Sequence, residues 1–196
     1  MRIATLFIGF MSSLVACTTS ERSRQTSHDN ESAISTQQES TTVASAGQPQ
    51  SVDSLRDEFV EHGLLVPDSR REMISRFGTA DSVASRAVVN RHNAALTDSI
   101  VDLFYPGLHL TYYVVGQGGK EFLQTAVVSD NRYLKFPQSG IGVPEEIIRR
   151  SLGEPSERVA AKWRYDCGRC IGAESPVYFH LDRGMAKRIE YSFYVD

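Results

Sequence analysis

The spacing of apolar residues divides the chain into three parts. An apolar run from Ile3 to Ala16 opens the sequence, and a stretch rich in Ser, Thr and Gln follows it. Because that stretch has almost no large apolar side chains, it cannot bury enough surface to offset the entropy of ordering, and it predicts a flexible tether over residues 17–52. Further on, the apolar residues recur at regular spacing, which predicts one folded domain over residues 53–196.

Three short helices are predicted in this domain. In the first, Leu55, Phe59 and Val60 fall at helical spacing, and Gly63 follows as a C-cap. The other two share a start signal, an apolar stripe and a Gly stop, and they suggest an internal repeat. They align at an offset of 75 residues, with Ser69, Met73, Phe77 and Gly78 in one and Pro144, Ile148, Leu152 and Gly153 in the other.

Each of the two aligned helices is followed by runs of β-branched and aromatic residues between Gly and Pro, which is the signature of strands. The runs occupy residues 100–105, 108–115 and 122–128 after the first helix, and 162–165, 177–181 and 188–194 after the second. The sequence therefore predicts an α+β fold of two tandem halves, about 67–131 and 143–195. Each half is a short helix plus about three antiparallel strands.

The first cysteine has a distinctive context. The apolar run follows a single basic residue, Arg2, and ends in Leu14-Val15-Ala16-Cys17, which resembles a bacterial lipobox. The resemblance implies that residues 1–16 are a lipoprotein signal peptide and that acyl chains such as palmitate are attached to Cys17. The alternatives are an ordinary signal peptide with a coincidental Cys, or an uncleaved apolar helix. The run is shorter than the roughly 20 residues that a membrane span needs.

The same resemblance implies a location. Thr18 follows the cysteine where an Asp would favour the inner membrane in lipoprotein sorting. We therefore expect the protein to be anchored by its lipid to the outer membrane and to face the periplasm. Several acyl chains, each contributing about 0.8 kcal/mol per buried methylene, make such an anchor effectively permanent.

A family resemblance covers residues 67–195. The order of a short helix, Leu152-Gly153-Glu154-Pro155, an aromatic-x-Tyr strand beginning at Trp163 and then a hairpin resembles the SmpA/OmlA group of small bacterial lipoproteins. The tandem form resembles the β-lactamase-inhibitor-like fold. That resemblance implies that the two halves share one curved sheet.

The segment Cys167-Gly168-Arg169-Cys170 is the motif closest to chemistry. After Cys17 is assigned to the lipid, these are the two remaining cysteines, and an exported protein is expected to join them in a disulfide. A redox-active pair of the thioredoxin type is the alternative, but such a pair sits at a helix N-terminus, and a loop is predicted here. A zinc site would need about two more ligands, of which His180 is a conceivable one, and we predict no metal site.

Charge and the remaining motifs narrow the function further. The net charge of −3 gives no indication of nucleic-acid binding, and the sequence contains no nucleophile elbow, zinc-protease motif or phosphate loop. No cofactor and no catalytic residues are therefore predicted. His109 and His180 fall at comparable places in the two halves, a spacing that suits either a paired site or two ordinary strand positions.

Aromatic residues are concentrated in the predicted strands, and Tyr and Trp often anchor protein interfaces. We interpret Trp163, Tyr165, Tyr178 and Arg169 as possible partner-binding residues. The sequence thus predicts a non-catalytic module that binds or helps assemble another envelope protein. The alternatives are an inhibitor of an envelope or secreted enzyme, and a redox enzyme that uses Cys167 and Cys170.

Overall fold

A computed structural model describes residues 50–170 and 175–193. The predicted signal peptide, Cys17 and nearly all of the predicted tether lie outside the described residues. The first helix begins at Val52, next to the domain boundary expected at residue 53.

Three α-helices occur in the described part of the chain, α1 (Val52–His62), α2 (Arg70–Phe77) and α3 (Glu145–Leu152), besides two single-turn 3-10 helices, Asn131–Tyr133 and Pro137–Ser139. Ser51 and Ser69 cap the first two, and each hydroxyl accepts a hydrogen bond from a first-turn amide at 3.2 Å. None of the three has the length and hydropathy that a membrane crossing requires.

Eight strands form one antiparallel sheet in the order β1-β2-β3-β4-β8-β7-β6-β5. Their bounds are β1 Ser82–Val89, β2 Thr97–Tyr105, β3 Leu108–Val114, β4 Glu121–Val128, β5 Glu157–Val159, β6 Lys162–Tyr165, β7 Val177–Asp182 and β8 Met185–Ser192. The fold is therefore α+β, as predicted.

The prediction of about three strands after each repeated helix is one strand short in both cases. The missed strands, β1 and β5, are the two edges of the sheet, and their side chains are exposed along nearly the whole length. Because neither strand buries one of its faces, neither shows the alternation of apolar and polar residues by which a strand is predicted.

The three helices pack against one face of the sheet, which we call the covered face. Alternate residues of each inner strand point into a single core together with Phe59 of α1, Met73 of α2 and Ile148 of α3. The bulkiest fully buried side chains are aromatic, namely Tyr112, Tyr133, Tyr165, Tyr191, Phe59 and Phe179. The other residues of the inner strands form the opposite face, which no helix of the described chain covers and which we call the open face.

The ends of α2 and α3 are held in the same way. Gly78 and Gly153 follow the two helices with φ of 83° and 80°, a backbone conformation that suits glycine. The hydroxyl of Tyr105, the last residue of β2, donates to the Gly78 carbonyl at 3.2 Å. The hydroxyl of Tyr165, the last residue of β6, donates to the Gly153 carbonyl at 3.1 Å. Each helix is thus fixed to the strand that lies beneath its end.

Candidate functional site: the open face and the disulfide loop

One row of directly opposed residues crosses the open face. Register places one residue from each of seven strands in this row, and neighbouring strands lie about 4.8 Å apart, so the row is about 29 Å long. Its members are Phe104, His109, Val127, Glu190, Tyr178, Arg164 and Glu157. The row combines aromatic, acidic and basic side chains, of which the aromatic residues and Arg are the types enriched in protein interfaces.

A first polar cluster lies on this face between β2 and β3. The Asp102 carboxylate lies 3.0 Å from His109 Nε2 and accepts a hydrogen bond from the Thr111 hydroxyl at 2.7 Å. The ring of Phe104 stacks on the imidazole with 4.4 Å between ring centroids. The Thr111 hydroxyl binds the carboxylate rather than the imidazole, so His109 does not activate it as a base would activate a nucleophile.

A second polar cluster lies on the same face across β6, β7 and β8. Glu190 Oε2 lies 2.9 Å from His180 Nε2 and 3.8 Å from Lys162 Nζ. That ammonium also lies 3.9 Å from the centre of the Tyr178 ring, a cation–π contact. A guanidinium nitrogen of Arg188 lies 3.2 Å from His180 Nδ1. These contacts hold Tyr178 in place at the surface.

His109 and His180, which fall at comparable places in the sequence, therefore do not share a site. Each has its own carboxylate, and strands β4 and β8 separate β3, which carries His109, from β7, which carries His180. The arrangement is suited to hydrogen bonding and ion pairing with a partner.

The loop after β6 is closed by a disulfide between Cys167 and Cys170, as predicted. Asp57 of α1, which is buried, fixes this loop to the covered side of the sheet. Its carboxylate accepts from the Gly168 N–H at 2.9 Å and from Arg169 Nε at 2.8 Å. The disulfide and this carboxylate together define the conformation in which the loop presents Arg169.

Asp57 is charged in this environment. Burial raises the pKa of the carboxyl, but the hydrogen bonds from Arg169 and the Gly168 N–H, together with the charges of Arg169 and Arg56, outweigh burial and hold the pKa below its usual range. The ion pair therefore joins the buried carboxylate of Asp57 to the mostly exposed guanidinium of Arg169.

Glu61, Cys167 and Cys170 lie close together, with their donor atoms within 4.8 Å of one another. The disulfide occupies both sulfurs, and the group supplies no more than one free ligand while it is intact. No helix of the described chain begins at the cysteines, so the feature that lowers the thiol pKa in thioredoxin-type pairs is missing here.

The four possible partner-binding residues fall in two different environments. Trp163 and Tyr165 point to the covered face and are 4% and 0% exposed, so the core occupies their rings. Tyr178 lies on the open face, and the Arg169 side chain is 67% exposed beside the disulfide. The adjacent strand positions Trp163 and Arg164 face opposite ways, and only the core packing decides which of them reaches the surface.

Three acidic residues of the two polar clusters and the disulfide segment, Asp57, Asp102 and Glu190, were not predicted from the sequence. Asp57 is separated from Arg169 by 112 residues in the chain, and no local pattern indicates such a contact. Asp102 and Glu190 alternate with apolar residues along β2 and β8. That alternation is the sequence signal that could have placed them on the open face.

Comparison of the chain with protein-family models, with curated proteins and with solved structures finds no match.

Proposed function

We propose that this protein is a lipid-anchored envelope protein whose open face binds another envelope protein. The observation that carries the proposal is the row of seven residues across the open face, which the helices leave uncovered. Such a surface of aromatic and charged side chains on a rigid sheet meets the needs of a protein interface, where a few aromatic and Arg residues supply most of the binding energy. Tyr178, fixed by Lys162, is the proposed anchor residue.

The sequence near the N-terminus supports the proposed anchor and location. The lipobox-like Leu14-Val15-Ala16-Cys17 supports lipidation of Cys17, and Thr18 supports the outer membrane, with the domain facing the periplasm. A coil of about 35 residues spans about 30–35 Å, which is enough to hold the folded domain away from the bilayer surface.

We also propose that the domain is built from two tandem halves, as in the SmpA/OmlA and β-lactamase-inhibitor-like groups. The matching ends of α2 and α3, each a Gly with positive φ held by a Tyr hydroxyl, support the repeat. So does the strand order, since β4 and β8, the last strand of each proposed half, pair with each other at the centre of the sheet.

Inhibition of an envelope or secreted enzyme is the second candidate function. The segment from Cys167 to Cys170 favours it, because a disulfide and the Asp57 carboxylate hold Arg169 in place before any partner arrives. A loop that is ordered beforehand loses less entropy on binding, which is how rigid inhibitory loops gain affinity. In both candidate functions the protein acts by binding and not by catalysis.

Site-specific photo-crosslinking in native cells tests the proposal. The crosslinking residue is placed at Thr111 of the open face, at Arg169 of the disulfide loop, or at Arg71 on the exposed side of α2 as the control. We expect one dominant protein adduct from Thr111 and none from Arg71. An assembly factor or an enzyme as the adduct distinguishes the two candidate functions. Equal adducts from Thr111 and Arg71, or none from Thr111 and Arg169, would contradict the proposal.

The anchor is tested separately. Cells are labelled with palmitate, and the wild-type chain is compared with Cys17→Ser. We expect label in the wild type, fractionation with the outer membrane, and loss of both in the variant. An unlabelled wild-type chain would contradict lipidation and would leave the result for the open face standing on its own.

A further inference from the structure

A cavity lies at one end of the open face, between two hairpin loops. One loop joins β1 to β2 and the other joins β3 to β4. The cavity has a volume of about 340 Å³, which is within the range of small-molecule sites, about 300–1,000 Å³. It lies at the end of β3 away from the contact between Phe104 and His109.

The lining is apolar at its centre. Tyr113 and Phe122, which are opposed across β3 and β4, present aromatic rings, and Leu96 and Val115 complete the apolar part. Phe122 is 45% exposed, so its ring is accessible to a ligand in the cavity. Amide groups of Asn90, Asn93 and Gln124 contribute hydrogen-bonding capacity.

The charged residues of the lining are all basic. Arg91 and Lys120 are these residues, and no Asp or Glu among the described residues lines the cavity. The neighbouring acid, Glu121, turns away from the cavity, because its carboxylate binds the backbone N–H and Nε of Arg70 at the start of α2. The positive charge that an anion meets in the cavity is therefore that of Lys120, while the buried carboxylate of Asp98 behind the lining is taken up by hydrogen bonds.

One buried carboxylate holds the cavity together. Asp98 accepts from Asn90 Nδ2 of the first loop at 2.6 Å, from the Gly116 N–H of the second loop at 2.8 Å, and from the Tyr113 hydroxyl. These bonds, led by the one from Gly116, keep the pKa of Asp98 below its usual range. Both loops and the Tyr113 ring are thus attached to one fixed charge.

The first loop is also ordered from within. The side-chain oxygen of Asn90 accepts from the backbone N–H groups of His92 and Asn93, both at 2.8 Å. The side-chain oxygen of Asn93 accepts from the Ala95 N–H at 3.0 Å. The cavity wall exists before a ligand arrives, which reduces the ordering cost of binding.

We propose that this cavity binds a small organic anion with an aromatic or other flat apolar body. The apolar body packs against Tyr113 and Phe122, and the anionic group lies towards Lys120. This activity goes beyond the proposed binding of an envelope protein and does not depend on it.

The test uses a matched pair of fluorescent probes, the anionic 1-anilinonaphthalene-8-sulfonate and the uncharged N-phenyl-1-naphthylamine. Both are titrated into the chain carrying Cys17→Ser, so that no lipid competes for the probe. We expect the sulfonate to bind with one-to-one stoichiometry and about tenfold more tightly than the uncharged probe. Equal affinities would overturn the proposed preference for an anion.

Three variants then locate the site. Lys120→Gln is expected to weaken the sulfonate about fivefold and to leave the uncharged probe unchanged. Phe122→Ala is expected to weaken both probes about tenfold. Phe104→Ala, an exposed phenylalanine at the other end of the same face, is the control and is expected to change neither. Unchanged binding in Lys120→Gln and Phe122→Ala, or equal losses in Phe104→Ala, would overturn the proposal.

Discussion

The covered and open faces of the sheet are built from the same strands, yet they do different work. On the covered face, alternate residues pack with the helices into one core of mostly aromatic side chains. On the open face, the residues between them form half-exposed ion pairs and ring contacts. Because successive side chains of a strand point to opposite faces, alternate positions of one segment serve the core and the proposed binding surface.

Substitutions on the two faces should therefore have different effects on stability and on binding. A change on the covered face removes packing that the whole domain shares, so it should lower the free energy of unfolding. A change at a half-exposed position of the open face removes contacts worth little to folding, since exposed ion pairs contribute about 0–1 kcal/mol, and should act on partner binding instead. Asp98, Ile100 and Tyr113, which are buried at one end of that face, are the exceptions. Adjacent residues of one strand therefore provide the sharpest tests.

The largest effect is expected from the pair Phe179 and Tyr178 in β7. Phe179 is fully buried between Phe59 and Tyr165, with both ring centroids at 5.5 Å. Phe179→Ala should lower the free energy of unfolding by about 3–5 kcal/mol. Tyr178→Ala, one position away on the open face, should lower it by less than about 1 kcal/mol.

Urea denaturation of the two variants beside the wild type measures both values. Similar losses for Phe179→Ala and Tyr178→Ala would contradict the division between the faces, because the open face would then contribute to folding as the core does.

A smaller effect is expected from the buried charge on the covered side. Asp57→Asn weakens the bonds to Gly168 and Arg169, and should lower the free energy of unfolding at pH 7 by about 1–2 kcal/mol. The folded pKa of Asp57 lies below its unfolded value of about 4, so the stabilisation is present above that pH and is lost as the pH falls through the folded pKa.

Unfolding is therefore measured from pH 7 down to pH 3, and the difference between the wild type and Asp57→Asn should shrink as the pH falls below about 4. The control is Asp53→Asn, an exposed acid on the same helix, which should cost less than about 1 kcal/mol. A difference between the wild type and Asp57→Asn that stays constant to pH 3 would show that ionisation of Asp57 does not stabilise the fold.

The smallest effect on the free energy of unfolding is expected from removing single tyrosine hydroxyl groups on the covered face. Tyr165→Phe removes the hydrogen bond to the Gly153 carbonyl and should cost about 0.5–1.5 kcal/mol. The Tyr191 hydroxyl is buried without a hydrogen-bond partner among the described residues, so Tyr191→Phe should be neutral or stabilising. Thermal unfolding of the two variants measures both changes. A larger loss of stability for Tyr191→Phe than for Tyr165→Phe would refute the assignment of these hydrogen bonds.

Local signals were sufficient to predict the helices. Gly78 and Gly153 directly follow α2 and α3, and Gly63 directly follows α1, as expected from the Gly stops. Helix starts and ends depend on capping by neighbouring residues, which a sequence displays directly. The inner strands were predicted for a similar reason, since their apolar and aromatic runs are continuous in the chain.

The edge strands and the candidate sites could not be predicted in this way. β1 and β5 lack a buried face, and the contact of Asp57 with Arg169 joins residues that are far apart in the chain. The orientation of Tyr178 and Trp163 towards opposite faces depends on strand register, and register depends on the packing of the whole sheet. The cavity between the hairpin loops depends on Asp98, whose three partners come from separate elements.

The most direct test of the central claim is the yield of the photo-crosslinked adduct from Thr111 in native cells. It is measured in the otherwise wild-type chain, in Tyr178→Ala and in Arg71→Ala, with the amount of folded protein matched. The account predicts one dominant envelope-protein adduct, which falls about tenfold or more in Tyr178→Ala and is unchanged in Arg71→Ala. An adduct that survives Tyr178→Ala at full yield, or no adduct in any chain, would contradict a partner bound on the open face.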